Sequence, residues 1–313
     1  MARDLPNVMQ APASVDILPG TARVTFGLSM LGWALNEEEN IGAYIDRAGA
    51  FLQALTDRYE LVLLDDGSTD RTWEIIVEAQ RTRPWVKAYR NGRNRGSGYN
   101  TKRALALATH EYVFWQTVDW CYDIRALAAA LPQLAEVDVL QGVRVGTTSV
   151  AGMVTQRSDS PYKGLVSILN YRLIRLLFRL PFGDFQNVTV YPRSLIQSVA
   201  LETESSFTNA ECLLKTWWRG ATFREVEVPF LKRTRGRGKG TRPRAIIKAV
   251  SNIVTWWFLW IVLGRRPHRK RGRIVPYDSA REPARASSHV IDVAGTAPAS
   301  APAASGAPTR AQR

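Results

Sequence analysis

The sequence has few cysteines, no long uninterrupted apolar run and no apolar leader. Only two of its 313 residues are cysteines, which excludes a disulfide-rich scaffold and favours a reducing, cytosolic setting. The first 20 residues contain no apolar segment of the kind that secretory signals carry, so we expect no such signal there. The apolar run that follows Thr255 is shorter than the roughly 20 residues of a membrane-spanning helix. The chain is nevertheless long enough to bury a proper core, as one large domain or two small ones.

Acidic residues are also missing from one long interval near the C-terminal end. The formal net charge is +14, which indicates polyanionic partners such as an anionic membrane surface, phosphate-bearing substrates or nucleic acid. No aspartate or glutamate occurs from residue 228 to residue 277, where basic stretches flank a tryptophan-rich apolar segment. Such a segment is typical of a helix at a lipid interface, so we predict a membrane-associated helix at 246–264. A true transmembrane span is the alternative.

A second segment with membrane character lies inside the chain, at residues 165–182. Its leucines alternate with Arg172, Arg175 and Arg179, which fall on one stripe of a helix. This pattern predicts a basic amphipathic helix in the plane of a bilayer surface. The alternative is a helix that packs on the sheet and exposes its arginines to solvent.

Strands alternate with helices along most of the chain, which predicts an α/β fold with a mainly parallel sheet flanked by helices. We expect this domain to span residues 21–245, after an N-terminal extension at 1–20. Residues 272–313 are rich in alanine, proline and serine and predict a disordered tail.

Polar side chains follow the predicted strands at the points where the strands end. Because ligands of parallel sheets bind beyond the carboxyl ends of the strands, we expect these groups to meet at one edge. Carboxylates gathered there suit a ribose, a base N–H or a divalent metal. Taken alone, Asp65 and Asp66 are also compatible with a plain strand-to-helix turn, and Asp119 with a helix cap. The groups are Asn36, Glu38, Asp65, Asp66 and Asp119.

Several motifs resemble those of the family 2 glycosyltransferases, which have the GT-A fold. "ALNEEENI" resembles the opening loop of that family, and "LVLLDDGSTDRT" resembles its nucleotide-binding strand end. "NRGSGYNTKRALALATHEYVFWQTVD" resembles the stretch that leads to its DxD metal motif. "EVEVPFLKRTRGRGKG" resembles the late strand and basic loop of the branch that glycosylates polyprenyl phosphates, as dolichol-phosphate mannose synthase does. The resemblance covers residues 22 to 245.

The resemblance implies an inverting hexosyltransferase. It would move a sugar from a nucleoside-diphosphate sugar to a polyprenyl phosphate or another membrane-associated acceptor, on the cytoplasmic face of the cell membrane, as a peripheral or re-entrant protein. The implied residues are Asn36, Glu38, Asp65 and Asp66 for the nucleoside, Arg233, Arg235 and Lys239 for the phosphates, Asp119 for a divalent metal (Mg²⁺ or Mn²⁺), and Asp184 for a catalytic role near the acceptor. A loop residue without a chemical role is the alternative for Asp184.

The sequence departs from the family at the metal motif. Thr117 stands in place of the first acid of the DxD motif and Cys121 in place of a glutamine. A hydroxyl is a poorer ligand than a carboxylate for Mg²⁺ or Mn²⁺, and Asp123 is the nearest candidate substitute. Thr117 favours a rival hypothesis, a non-catalytic protein that binds nucleotide sugars or lipid phosphates. A nucleic-acid-binding protein is the other rival, and the lack of a recognition motif argues against it, so we expect no nucleic acid among the partners.

Overall fold

The sheet is the centre of the molecule. The computed structural model describes residues 17–144, 161–231, 243–266 and 270–276. In these residues eight strands form one sheet in the order β3-β2-β1-β4-β6-β5-β7-β8. Strand β6 runs antiparallel to β4 and β5, and the other pairs are parallel, which confirms the predicted fold class. The strands are β1 (Leu28–Ala34), β2 (Tyr59–Asp65), β3 (Val86–Arg90), β4 (Tyr112–Trp115), β5 (Val139–Val143), β6 (Thr189–Pro192), β7 (Thr222–Glu227) and β8 (Arg273–Ile274).

Helices cover both faces of the sheet. They are α1 (Ile41–Leu55), α2 (Thr72–Thr82), α3 (Ser97–Leu107), α4 (Arg125–Ala130), α5 (Pro161–Phe178), α6 (Arg193–Gln197), α7 (Thr208–Trp218) and α8 (Pro243–Trp257), with a 3₁₀ helix at Leu131–Ala135 and a π-helical turn at Phe258–Val262. Helices α1, α2 and α4 enclose a first core against one face of the sheet. Helices α3, α5, α6, α7 and α8 enclose a second core against the other face.

Strand β2 shows how the sequence produces this arrangement. Its continuous aliphatic run is fully buried, with Leu61 and Leu63 in the first core and Val62 and Leu64 in the second. Successive side chains of a strand point to opposite faces, so a strand covered on both faces needs no polar alternation. In the parallel register Ala34 of β1 lies beside Asp65 of β2, and the amide of Gln116, after β4, bonds to the Leu31 carbonyl of β1. The loops that follow these strands therefore lie along the same edge.

The two segments predicted to contact a membrane are helical and pack against each other. Helix α5 begins earlier than predicted and ends at Phe178, before Arg179, whose backbone is left-handed. At the end of α8 the π-helical turn buries Trp260 against Phe207 and Trp218 of the second core. Among the residues that the structure describes, every helix is too short or too polar to cross a bilayer.

Strand β8 lies inside the range 272–313 that the composition predicts to be a disordered tail. Its two residues pair with the start of β7, and the amide of Val275 bonds to the Phe223 carbonyl at 2.7 Å. Ile274 packs against the second core. The predicted extension at 1–20 falls within the described residues only from residue 17, and the tail only as far as residue 276.

Candidate active site

The loops that follow β1 and β2 are bound to each other by side chains predicted to contact a nucleoside. The backbone N–H of Asn36 donates to Ser68 Oγ at 2.9 Å. The side-chain Oδ1 of Asn36 accepts from the backbone N–H of Thr69 at 2.9 Å. Glu38 Oε2 accepts from the Arg71 amide at 3.1 Å. The backbone of Asn36 is left-handed, with φ of 54°, a conformation that asparagine tolerates better than most residues. Asn36 and Glu38 thus lie at the predicted edge, in contact with the β2 loop.

Asp65 holds its own turn and the end of β3. Its carboxylate is fully buried and accepts from the Ser68 amide at 3.2 Å and from Arg90 Nε at 2.9 Å. Arg90 also donates to the Ser68 carbonyl at 3.0 Å. Because burying a lone carboxylate is costly, the arginine and the amide offset the burial of Asp65 by supplying it with hydrogen bonds.

Asp66 holds the loop between β3 and α3. Its Oδ1 accepts from Asn91 Nδ2 at 2.7 Å and from the Arg95 amide at 2.8 Å, and its Oδ2 accepts from the Gly96 amide at 2.9 Å. Gly67 follows with φ of 80°, and a Cβ there would lie 2.7 Å from the Arg93 carbonyl carbon. Each residue of the Asp-Asp-Gly sequence therefore has its own structural task. Asp65 holds the β2 loop and the end of β3, and Asp66 holds the loop between β3 and α3. Gly67 allows the β2 loop to approach the backbone of Arg93 closely.

The residues around the altered metal motif form a tight turn after β4. Thr117 Oγ1 lies 3.1 Å from Cys121 Sγ and accepts from the Cys121 amide at 3.3 Å. The Trp120 amide closes the turn on the Thr117 carbonyl at 2.9 Å. Asp123 is engaged by Arg125 through two contacts of 2.8 and 2.6 Å, so its carboxylate already has a cationic partner.

These residues do not form a metal site by themselves. Among the residues that the structure describes, no group of three or more histidine, cysteine, aspartate or glutamate side chains is arranged to hold a metal ion. The turn offers the carboxylate of Asp119 and the hydroxyl of Thr117. Mg²⁺ is often bound through only one or two carboxylates together with substrate phosphates. The residues present therefore fit a divalent ion that takes most of its ligands from a nucleotide.

Asp184 lies at the same end of the sheet, in a buried ion pair that the sequence did not indicate. Arg144 follows β5 and contacts the Asp184 carboxylate through Nε at 2.6 Å and through a terminal nitrogen at 2.8 Å. The amides of Phe185 and Gln186 donate to the same carboxylate. Burial alone would lower the pKa of Arg144, but the charge and hydrogen bonds of Asp184 outweigh burial and raise it. Arg144 is therefore charged, and the Asp184 carboxylate is occupied as an acceptor.

Tyr122 connects the metal-motif turn to this ion pair. Its hydroxyl donates to the Gln186 carbonyl at 2.6 Å. Burial raises the pKa of Tyr122, and the nearby Cys121, Asp184 and Asp119 raise it further, so the phenol stays protonated and remains a donor. The structure thus brings Asp119, Tyr122 and the Arg144–Asp184 pair together at the ends of β4 and β5, beside the loops held by Asp65 and Asp66.

The predicted phosphate-binding residues Arg233, Arg235 and Lys239 lie outside the described residues. Arg144, Arg90 and Tyr122 were not predicted from the sequence. Arg144 stands at the end of the run "DVLQGVR", and the rule that placed polar residues at strand ends would have found it had the fifth strand been included.

Comparison with known proteins identifies relatives of the part of the chain that forms this edge. The model of the family "Glycosyl transferase family 2" matches residues 33–197, which include the loops after β1 to β5 and Asp184. The chain is 26% identical over 231 residues to glycosyltransferase AglD of Haloferax volcanii, covering 72% of this chain and 35% of that protein. It is 25% identical over 222 residues to the undecaprenyl-phosphate 4-deoxy-4-formamido-L-arabinose transferase of Yersinia pestis, covering 70% of this chain and 64% of that protein. The chain thus spans less than two thirds of the length of each relative.

Solved structures share the fold at low sequence identity. The mannosyltransferase PcManGT of Pyrobaculum calidifontis, solved with GDP-Man and Mn²⁺, matches with a TM-score of 0.51 and 18% identity, over 82% of this chain and 69% of that one. Glucosyl-3-phosphoglycerate synthase of Mycobacterium tuberculosis, solved with Mn²⁺, UDP and phosphoglyceric acid, matches with a TM-score of 0.52 and 18% identity, over 74% of this chain and 78% of that one. The fold of this chain is therefore the GT-A fold.

Proposed function

Because this chain belongs to glycosyl transferase family 2, we propose that it transfers a sugar from a nucleoside-diphosphate sugar to a polyprenyl phosphate in a membrane. The observation that carries the proposal is the edge of the sheet, where Asp65 and Asp66 hold the loops after β2 and β3 together beside Asp119 and the Arg144–Asp184 pair. One curated relative is named as an undecaprenyl-phosphate transferase, which supports a lipid phosphate as the acceptor.

The sugar donor lies across the loops that follow β1, β2 and β3. Four side chains contribute to nucleoside binding mainly by fixing these loops, and other polar groups of the loops complete the pocket. The four are Asn36, Glu38, Asp65 and Asp66. Fixed hydrogen-bonding groups bind a ligand more tightly because less conformational freedom is lost on binding. The proposed ligands of its phosphates are Arg233, Arg235 and Lys239, on the resemblance of the sequence around them to the family's basic loop.

In the transfer step, a phosphate oxygen of the lipid attacks the anomeric carbon of the sugar. A bond forms from that oxygen to the anomeric carbon, and the bond from the carbon to the nucleoside diphosphate breaks, with inversion. A phosphate acceptor is already ionised near neutral pH, so the step needs no strong general base. That agrees with the state of Asp184, whose carboxylate is already engaged by Arg144 and by backbone amides.

The leaving diphosphate carries the charge that must be stabilised. Asp119 is the residue that would hold a divalent ion at this position, and such an ion neutralises charge on the departing phosphates. The arginines and lysine of the late loop add positive charge at the same place. The buried Arg144–Asp184 pair keeps the acceptor side of the edge in a fixed shape.

The acceptor is reached from an anionic bilayer, along a surface shared by α5 and α8. Exposed apolar side chains on a continuous face are typical of a surface that binds a membrane or another protein. The exposed arginines of α5 and the basic residues that flank α8 match the charge of anionic headgroups. The exposed apolar residues are Leu165, Leu169 and Leu176 on α5, Ile247, Val250 and Val254 on α8, and Phe258, Val262 and Leu263 after it. The protein is thus a peripheral protein of the cytoplasmic face of the cell membrane.

The test is a transfer assay with a panel of UDP-, GDP- and dTDP-sugars and short polyprenyl phosphates in anionic vesicles. We expect one pair to give both free nucleoside diphosphate and a labelled lipid, with neither formed when the lipid phosphate is omitted. Asp119→Ala is the matched inactive control, and it should still bind the vesicles.

A second function follows from one observation. Thr117 is bonded to Cys121 and supplies no carboxylate, so the turn is also compatible with a protein that binds a nucleotide sugar without transferring it. Nucleotide binding with no product from any sugar and lipid pair would favour this alternative and contradict the transferase.

A further inference from the structure

Trp120, which follows Asp119, has an unusual backbone conformation. Its φ is 48°, in the left-handed region that bulky residues rarely adopt. The conformation ends the turn in which the Trp120 amide bonds to the Thr117 carbonyl. Residues held in such conformations persist only where their surroundings fix them, and they are common at active sites.

Helix α1 supplies those surroundings. The Trp120 ring is 5% exposed and packs edge-on against Tyr44, at 5.8 Å between ring centres, and against Phe51, at 6.1 Å. The guanidinium of Arg47 lies 4.4 Å from the ring centre. Tyr44 also donates its hydroxyl hydrogen to the Gln116 carbonyl at 3.1 Å, just before the turn. One helix therefore holds the turn at both of its ends.

The anchored turn carries Asp119 between Val118 and Trp120, which both belong to the first core, and Asp119 itself is half-buried. Asp119 adds to the rise that burial causes in the pKa of Tyr122, and Tyr122 bonds to the loop that carries Asp184. Asp119 thus lies beside the groups at the ends of β4 and β5.

We propose that Trp120 is a positioning residue, whose ring anchors the turn on α1 and so fixes the carboxylate of Asp119 toward the diphosphate of the sugar donor and any divalent ion that it carries. The inference rests on the proposed function. Trp120 touches no reacting atom and acts only through Asp119.

Three substitutions separate the anchor from the backbone conformation. Trp120→Gly removes the ring but introduces a residue that adopts positive φ easily. Trp120→Phe keeps an aromatic ring against Tyr44 and Phe51. Trp120→Leu keeps an apolar side chain without a ring. Trp85→Ala is the matched control, since Trp85 packs on Gly49 of the same helix but lies far along the sheet from the turn. The readouts are thermal unfolding and calorimetric binding of nucleoside diphosphate with and without Mn²⁺.

We expect Trp120→Gly to lose about ten- to a hundredfold in nucleotide affinity with Mn²⁺ present, because removing a group that orients a metal ligand typically weakens metal binding by that factor. Binding without Mn²⁺ should be unchanged, Trp120→Phe should stay within about threefold of the wild type, and Trp85→Ala should lower only the melting temperature. If Trp120→Gly does not fold, Trp120→Leu takes its place in the same comparison.

The outcomes distinguish this inference from the proposed function. A folded Trp120→Gly or Trp120→Leu protein with wild-type binding in Mn²⁺ overturns the role of Trp120 if Asp119→Ala does weaken that binding. If Asp119→Ala also binds as the wild type does, the role of Asp119 in the proposed function is wrong, and the inference about Trp120 is overturned with it.

Discussion

Replacing Asp66 with asparagine tests whether this carboxylate organises the nucleotide-binding loops. The substitution keeps an oxygen for Asn91 and Arg95 but turns an NH₂ group toward the Gly96 amide, which now donates to Oδ2 at 2.9 Å. A hydrogen bond to a charged group contributes about 1.5–3 kcal/mol. Losing it should raise the equilibrium constant for local opening of the loop by about ten- to a hundredfold, since 1.4 kcal/mol corresponds to a factor of ten.

The assay is amide hydrogen exchange followed at Arg95 and Gly96. We expect exchange at these two amides to become about ten- to a hundredfold faster in Asp66→Asn, and nucleotide affinity to fall by a similar factor. Asp46→Asn is the control, because Asp46 forms an exposed ion pair with Arg83 and should change stability by less than about 1 kcal/mol. Unchanged exchange at both amides would refute the reasoning, even if nucleotide binding weakened.

Three further predictions concern the ion pair, a buried acid and the apolar surface. Arg144→Met leaves Asp184 buried without its cation and should lower the free energy of unfolding by about 3–5 kcal/mol in urea, whereas the double variant Arg144→Met/Asp184→Asn, which removes the charge but keeps an oxygen for the Phe185 and Gln186 amides, should recover part of it; simple additivity would contradict this. Burial raises the pKa of Glu225, against a hydrogen bond from Gly183 and with a contribution from Asp184. Because the folded state then binds the proton more tightly, stability falls as pH rises above about 4.5 through the raised pKa, and urea titrations of Glu225→Gln should show a smaller fall. Leu169→Ser/Leu176→Ser should reduce flotation with anionic vesicles by at least about tenfold, since burying a leucine contributes about 1.5–3 kcal/mol; Leu231→Ser, whose backbone bonds to Cys121 of the turn after β4, should not.

The first four strands could be predicted because each carries its own signal. The run that became β2 is apolar on both faces, and the helices before and after it show helical spacing, so local pattern and tertiary position agree. Strand β8 could not be predicted, because two residues are too few to show a periodic pattern. The strand forms only through its pairing with the start of β7, which is distant in the sequence. The burial of Trp260 is similar, since it depends on aromatic side chains of α5, of α7 and of the residue just before α7.

The site was predictable as a location and less so as a set of roles. Strand ends placed Asn36, Glu38, Asp65, Asp66 and Asp119 at one edge, and the structure places them there. That Asp66 holds a loop 29 and 30 residues away depends on loop conformation, which the sequence does not encode locally. Their roles toward a nucleotide stay predictions. The Arg144–Asp184 pair joins residues 40 apart through the antiparallel return of β6, which sequence spacing does not reveal.

The last prediction concerns the turn that replaces the family's metal motif. Thr117 faces Cys121 rather than presenting a carboxylate beside Asp119, and Asp123 is held by Arg125, so Asp119 is the one matched acid of the motif. Thr117→Asp adds a second carboxylate, and at about 1.5–3 kcal/mol for a charge-assisted contact it should lower the Mn²⁺ concentration for half-maximal transfer by at least about tenfold. Thr117→Val, which removes only the hydroxyl, is the matched control and should leave that concentration within about threefold of the wild type.

Asp119→Ala should abolish transfer at every Mn²⁺ concentration, because the turn then offers no carboxylate to a divalent ion. Calorimetric titration of Mn²⁺ into each nucleotide-saturated variant gives the same comparison without turnover. If the wild type transfers sugar at full rate with all divalent metal chelated, Asp119 does not act through a metal. The positive charge on the leaving diphosphate must then come from the late basic loop, and Lys239→Ala becomes the variant that abolishes transfer. If Thr117→Asp instead leaves the metal requirement unchanged while Asp119→Ala is inactive, a side chain at residue 117 does not reach the divalent ion, and the prediction for Thr117→Asp is wrong.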